Sequence, residues 1–129
     1  GKPSWKDDFP NMQADDIAKR LNHLAKTGGA WRAIALHETQ ALANSGAIVV
    51  GASQRGAGAH GHLAFVFPVP QGVKPENFHG SGPFVRDGNE HHLRTGRYAL
   101  SGWGAVRASE AFGRAAPQWF VWSPPSKPQ

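Results

Sequence analysis

The 129-residue sequence contains no cysteine, so these residues supply no disulfide, no thiolate metal site and no thiol nucleophile. It has no apolar run near the roughly 20 residues that a membrane-crossing helix needs, which argues against a membrane partner. Acidic residues are few, nine against fourteen Lys and Arg, and the formal net charge is +5. This charge favours anionic partners, among them nucleic acid and the bacterial cell wall. Because the basic residues are scattered, nucleic acid is the less favoured of the two.

The composition predicts one folded domain over residues 1–129. Hydrophobic residues make up 40% of the chain, and five of them are tryptophan, which indicates a packed core. Residues 1–10 are polar and contain two prolines, so we expect a flexible lead-in. Residues 124–129, PPSKPQ, are expected to form a frayed tail.

Two helices are predicted in the first third of the chain. Apolar residues recur at three- and four-residue spacing from Ala14 to Ala25, and residues 27–29, Thr-Gly-Gly, end the pattern. A second helix is predicted over residues 36–44 and is closed by Gly46. Residues 31–34 are interpreted as its lead-in.

The centre of the chain reads as a β-hairpin. Residues 47–50 (AIVV) and 63–67 (LAFVF) are apolar runs of strand length, and a glycine-rich loop joins them. Period-two alternation places Leu63, Phe65 and Phe67 on one face, which we expect to be buried beneath the two helices. Further short strands are predicted at 78–81, 98–106 and 118–123, the last buried on both faces. The predicted fold class is α+β, with two N-terminal helices on one face of an antiparallel sheet of about five short strands.

His62 is the first candidate functional residue. It opens the second strand of the hairpin on the face opposite Leu63, directly after Gly61, where a ligand can approach closely. A histidine held there by a sheet is suited to general-base catalysis, because its pKa is intrinsically near neutrality. The competing interpretation is a surface histidine on an edge strand.

Five segments of the sequence carry a resemblance to a known family. Residues 61–66, GHLAFV, resemble the Gly-His-aliphatic-Ala-aliphatic-Val strand of NlpC-type and CHAP-type cysteine peptidases, which have a papain-like fold. Residues 41–50 are similar to the strand that precedes it in those families. Residues 78–81, 101–106 and 118–122 follow in the order seen in the peptidoglycan amidase effectors of bacterial type VI secretion. These effectors are antibacterial toxins.

The resemblance implies a site and a partner. It makes His62 the base that activates the nucleophile, and it places His79 where the family has the residue that orients the base. Gln54, Arg55, Gly61 and Trp103 would line the groove for a peptidoglycan peptide. It further implies a secreted or periplasmic hydrolase that needs no cofactor and meets an inhibitor or immunity protein.

One departure from the family concerns the nucleophile. The family cysteine begins a helix that precedes the first helix of this chain, and neither that helix nor any cysteine occurs in these residues. Either the chain is a fragment whose nucleophile was lost or lies on another polypeptide, such as a cysteine-bearing companion segment, or the domain is a catalytically inactive relative. The second possibility makes a non-catalytic binding module a direct rival to the amidase.

Two other chemistries are compatible with the histidines. His60 and His62 have a His-x-His spacing that can chelate zinc, with His79 or His91 as a third ligand, although no metal is assigned. Alternatively, His62 and His79 would act as acid and base of a ribonuclease-like toxin, with Arg55 or Arg107 on the phosphate. The absence of a basic cluster with interleaved aromatics counts against the ribonuclease.

Overall fold

The structure is a computed structural model, and it describes residues 14–54, 61–86 and 105–123. The described helices are α1 (Ala14–Lys26), α2 (Thr39–Asn44) and α3 (Ala108–Phe112), with short 3-10 helices at Leu36–Glu38 and Pro75–Asn77. The described strands are β1 (Trp31–Ile34), β2 (Ile48–Ser53), β3 (His62–Val66), β4 (Phe84–Arg86), β5 (Val106–Arg107) and β6 (Gln118–Trp122). The expected lead-in at 1–10 and tail at 124–129 lie outside the described residues.

The described strands form one antiparallel sheet in the order β1-β6-β2-β3-β4-β5. The α+β class with an antiparallel sheet is therefore confirmed, with six described strands rather than about five. The central hairpin is confirmed too, since β2 and β3 pair directly, with Val50 opposite Phe65 and Ser53 opposite His62. The strand predicted at 118–123 is present as β6, and Trp119 to Val121 are buried in succession.

One face of the sheet is covered by α1. Ala18 and Leu21 of the helix's apolar stripe are buried in a hydrophobic cluster that is separate from the cluster on the opposite face. The strand residues of this cluster are Trp31, Val50, Ala52 and Phe120, with Leu63 and Phe65 at its margin. The helix thus buries its apolar side mainly against β1, β2 and β3, with Phe120 of β6 in the same cluster.

The opposite face is covered by α2 and α3, so the expectation that the helices pack on one face is wrong. Ala43 of α2 and Phe112 of α3 belong to the second cluster, together with Val49, Ala64, Val66, Val85, Val106, Ala108, Trp119 and Val121. The burial expected for β3 is also reversed. Ala64 and Val66 are buried, whereas Leu63, Phe65 and Phe67 are only half-buried. The reason is that two helices close over the Ala64 face, while α1 alone covers the other.

Three local expectations are corrected. Residues 31–34 form the strand β1 instead of a helix lead-in, because they pair with β6 from Trp31↔Trp122 to Ile34↔Trp119. Residues 78–81 form bends, and the strand in that region is β4. Of the strand predicted at 98–106, only Ala105 and Val106 are described, and Val106 is the first residue of β5.

One side chain joins α2 to the ends of β3 and β4. The Nε2 atom of Gln40 donates to the carbonyl oxygen of Phe67 over 2.8 Å, and its Oε1 atom accepts from the amide of Phe84 over 2.9 Å. The same Nε2 donates to Oδ1 of Asn44, which in turn accepts from the amide of Val69. Gln40 therefore satisfies backbone groups where the ladder between β3 and β4 ends.

None of the described helices combines the length and the apolar character that crossing a bilayer requires.

Candidate functional site

His62 begins β3 at the end of the sheet where β2 finishes. Its cross-strand partner is Ser53, the last residue of β2. The imidazole packs edge-on against the ring of Phe112, with ring centroids 5.2 Å apart and an angle of 77° between the planes. His62 therefore lies on the face covered by α3, half-buried, with its ring orientation supported by an aromatic neighbour.

Ser53 is a polar residue in an apolar setting. Its exposed fraction is 3%, and its Oγ atom has no hydrogen-bond partner among the described residues. Directly opposed residues of an antiparallel pair have Cβ atoms about 4.5–5.5 Å apart and share a face of the sheet. The hydroxyl consequently lies on the same face of the sheet as the His62 imidazole, which carries both a donor and an acceptor nitrogen when neutral.

An aromatic framework supports this corner of the sheet. Phe112 packs edge-on against Trp119 with ring centroids 5.8 Å apart. Trp119 in turn lies over Gly51, where an added Cβ would be only 2.5 Å from its ring. Glycine is thus required at position 51 so that Trp119 can lie flat on β2 and support Phe112.

His79 occupies a different setting from the one expected. It lies in the bends before β4, outside any described strand, and its side chain is 79% exposed. Its Nε2 atom is 3.7 Å from Oε1 of Glu110 in α3. The neighbouring Ser81 anchors this segment to the start of α3 through its amide, which donates to Oγ of Ser109 over 2.8 Å. The structure thus does not place His62 and His79 on adjacent strands, and the ion-pair partner it gives His79 is Glu110.

The other predicted groove residues divide into two groups. Gly61 is half-buried immediately before β3, and Gln54 is exposed immediately after β2. Arg55 and Trp103 lie outside the described residues, as do the additional histidines His60 and His91 considered as metal ligands. Among the residues that are described, no three His, Cys, Asp or Glu side chains are grouped as a metal site.

Two adjoining grooves open near this end of the sheet. The larger, called here the apolar groove, has a volume of about 690 Å³ and is lined by residues that include Ile34, Leu36, Phe112 and Trp119. The smaller, called here the basic groove, measures about 560 Å³ and is lined by Lys19, Asn22, Lys26, Ala52, Gln54, Ala116 and Gln118. Asn22, Ala116 and Gln118 line both, so the two grooves are contiguous.

Sequence reasoning found His62 and Gln54 but missed Ser53 and Phe112. Ser53 could have been predicted from the sequence, since the antiparallel hairpin places the last residue of β2 opposite the first residue of β3. Phe112 was not, because it is brought to His62 by a five-residue helix, α3, that is 46 or more residues further along the chain.

Comparison with protein-family models, with curated proteins and with solved structures finds no match to this chain.

Proposed function

We propose that the chain is a cell-wall peptide amidase domain of the NlpC type, in which His62 is the general base. The observation that carries the proposal is the cross-strand pair of a half-buried imidazole and a buried, unpartnered hydroxyl, His62 and Ser53. Buried polar groups without partners are rare in packed proteins and concentrate at sites with a function.

Amide hydrolysis by this route needs a nucleophile, a base to take its proton and a group that orients the base. Histidine is the side chain that most often serves as a general base in enzymes, and the Phe112 ring packs edge-on against the His62 imidazole. Ser53 Oγ is available to accept a hydrogen bond from the imidazole when the ring is protonated. We assign Ser53 as the positioning residue in preference to His79, whose ring lies largely in solvent beside Glu110.

The nucleophile comes from outside these residues, because the chain has no cysteine. The apolar groove offers a place for it. Phe112 lines that groove and also contacts His62, so a segment seated there would contact the aromatic ring that packs against the imidazole. Leu36, a groove-lining residue, is 54% exposed and supplies apolar surface for such a segment.

The test is to incubate the purified chain with peptidoglycan fragments, alone and together with any cysteine-bearing segment encoded upstream. We expect no turnover by the chain alone, turnover with the segment, and its loss in His62→Ala. The matched control is His37→Ala, since His37 is exposed on a 3-10 helix. Turnover by the chain alone that His62→Ala abolishes would overturn the thiol mechanism.

Other outcomes favour the rival functions. Binding of peptidoglycan peptides without turnover, whatever segment is added, would identify a binding module. Cleavage of RNA that depends on His62 would identify the ribonuclease-like alternative.

A further inference from the structure

We infer that a third cavity, which lies between α2, residues 75–83 and the strands β4 and β5, binds a small apolar carboxylate. Arg107 is the residue that holds the carboxylate, and the cavity is called here the Arg107 cavity. Its volume is about 610 Å³, within the roughly 300–1,000 Å³ of typical ligand sites. His62 does not line it, so the inference goes beyond the proposed function and is tested separately.

Most of the lining of this cavity is apolar. Pro83 and Phe84 are buried lining residues, and Val69 and Pro75 are half-buried ones. Leu36 also lines the cavity, and its side chain is 54% exposed. An apolar ligand that covers Leu36 removes this surface from water, which favours binding. The lining is thus suited to a ligand whose body is aliphatic or aromatic carbon.

The uncharged polar residues of the lining do not require a ligand. The Oγ1 atom of Thr39 donates to the carbonyl oxygen of Leu36 over 2.7 Å. Both ends of the Gln40 carboxamide are bonded to backbone groups. His37, which also lines the cavity, is exposed to water. The polar group of a ligand is therefore expected to bind elsewhere in the cavity.

Arg107 is the permanently charged residue of the lining, and its side chain is held in position. Its Nη1 atom donates to the carbonyl oxygen of Gly82 over 2.8 Å, and its Nη2 atom donates to that of Pro75 over 2.7 Å. Its guanidinium carbon lies 4.6 Å from the centre of the Phe84 ring. Because all three of these neighbours line the cavity, the charged end of Arg107 lies at the cavity wall.

The guanidinium group has hydrogen-bonding capacity left over. It carries five N–H donors, and the two carbonyl groups occupy one donor on each terminal nitrogen. Each terminal nitrogen of Arg107 therefore keeps a second N–H. The Nε atom is buried and has no hydrogen-bond partner among the described residues. The remaining donors are suited to an acceptor that has no N–H or O–H of its own, such as a carboxylate.

The charge of Arg107 has no opposite charge beside it. Neither Asp nor Glu is among the described residues that line the cavity, and no described carboxylate forms an ion pair with Arg107. The side chain is half-buried, and a charge withdrawn from water without a counter-charge is costly. A bound carboxylate would supply the missing negative charge.

The cavity therefore specifies one negative charge on an apolar body. The first probe is phenylacetate, and its control is phenylacetamide, which has nearly the same shape and no charge. Such a carboxylate can belong to a free acid or to the C-terminus of a peptide that ends in an apolar residue. The second probe is therefore acetyl-Ala-Ala-Phe with a free carboxylate, compared with its C-terminal amide.

We expect the full chain to bind at least one of the two acids about tenfold or more tightly than the matching amide, as measured by NMR titration. The acid that binds more tightly identifies the source of the carboxylate. Leu36→Glu should abolish the preference, because a carboxylate on the lining repels that of the ligand. The matched control is Ala41→Glu, at an exposed position of α2 that does not line the cavity, and it should keep the preference.

Arg107→Met should abolish the preference as well. Arg114→Met should not, since Arg114 is exposed and does not line the cavity. Because Arg107 also binds two backbone carbonyl groups, a loss in Arg107→Met supports the inference only together with the loss in Leu36→Glu.

Equal binding of each acid and its amide by the unmodified chain would overturn the inference, and so would equal losses in Leu36→Glu and Ala41→Glu. Tighter binding of inorganic phosphate than of either acid would also overturn it and would assign Arg107 to a phosphate. These titrations use neither His62 nor peptidoglycan. Failure of peptidoglycan hydrolysis with the acid preference retained would therefore count against the proposed amidase alone.

Discussion

Ser53 and His62 are cross-strand partners, and the more deeply buried of the two is the one whose hydroxyl has no hydrogen-bond partner among the described residues. A buried hydroxyl without a partner costs about 1–3 kcal/mol of desolvation. The cost is present in the folded chain whether or not a substrate is bound. If the Ser53 hydroxyl serves a function, that function is therefore gained at the expense of folding stability.

Ser53→Ala should leave the free energy of unfolding unchanged or raise it, because the variant removes an unsatisfied group. It should nevertheless lower any His62-dependent turnover. Ser109→Ala is the contrasting control, since its Oγ atom accepts from the Ser81 amide. That variant should lose about 0.5–1.5 kcal/mol. Marked destabilisation by Ser53→Ala would show that the hydroxyl is satisfied in solution.

His79→Gln tests which residue orients the base. Because His79 is mostly exposed and 3.7 Å from Glu110, we expect a stability change within about 0.5 kcal/mol and unchanged His62-dependent turnover. The comparison is with Ser53→Ala in the same assay. If His79→Gln loses most of the turnover while Ser53→Ala keeps it, the residue that orients His62 is His79 and not Ser53.

Gly51→Ala should destabilise the chain by about 1–3 kcal/mol, because the new methyl group would displace the Trp119 ring. Chemical denaturation monitored by tryptophan fluorescence would measure the loss. Gly29→Ala is the matched control: its Cβ would meet no atom within 4 Å, and its backbone is not left-handed. Similar losses in both variants would mean that Trp119 does not lie on Gly51.

Phe112→Ala should cost about 3–5 kcal/mol, the usual range for a fully buried aromatic side chain. Phe65→Ala should cost about half as much, because Phe65 is only half-buried on the face that α1 covers. Urea denaturation of the two variants gives the comparison. A larger loss for Phe65 would place the main core beneath α1 instead of α3.

Gln40→Met should destabilise the chain by about 1–3 kcal/mol. Methionine keeps the length of the side chain but leaves the Phe67 carbonyl and the Phe84 amide without their partner. Gln71→Met, at an exposed position, should change stability by less than about 0.5 kcal/mol. Hydrogen exchange at the Phe84 amide would accelerate only in the first variant.

The parts of the fold that the sequence predicted depend on local patterns. The stripe of α1 and the alternation of β3 repeat over enough residues to identify a helix and a strand. β1 was missed because it has four residues, and its partner β6 is more than 80 residues away. The sequence also failed to predict that Ala64 is more deeply buried than Phe65. The reason is related: the helix that covers Ala64, α3, has only five residues and no repeating pattern.

In the candidate site, too, the sequence predicted what depends on local patterns and missed what depends on contacts between distant segments. His62 was identified from its own strand, and its register with Ser53 is a property of one hairpin. The position of His79 depends on how residues 78–82 dock on α3, through contacts such as Ser81 with Ser109. Such contacts between distant segments leave no periodic trace in the sequence.

The strand order has a consequence for synthesis on the ribosome. β6 lies between β1 and β2, which both belong to the first 53 residues, yet β6 ends at residue 122. While the chain emerges, β1 has no described strand to pair with, and one edge of β2 stays open, until β6 at residues 118–122 has been made. Unpaired edges of this kind invite association with other chains. The nascent domain should consequently be a substrate for chaperones, and removal of β6 by a protease should unfold it entirely.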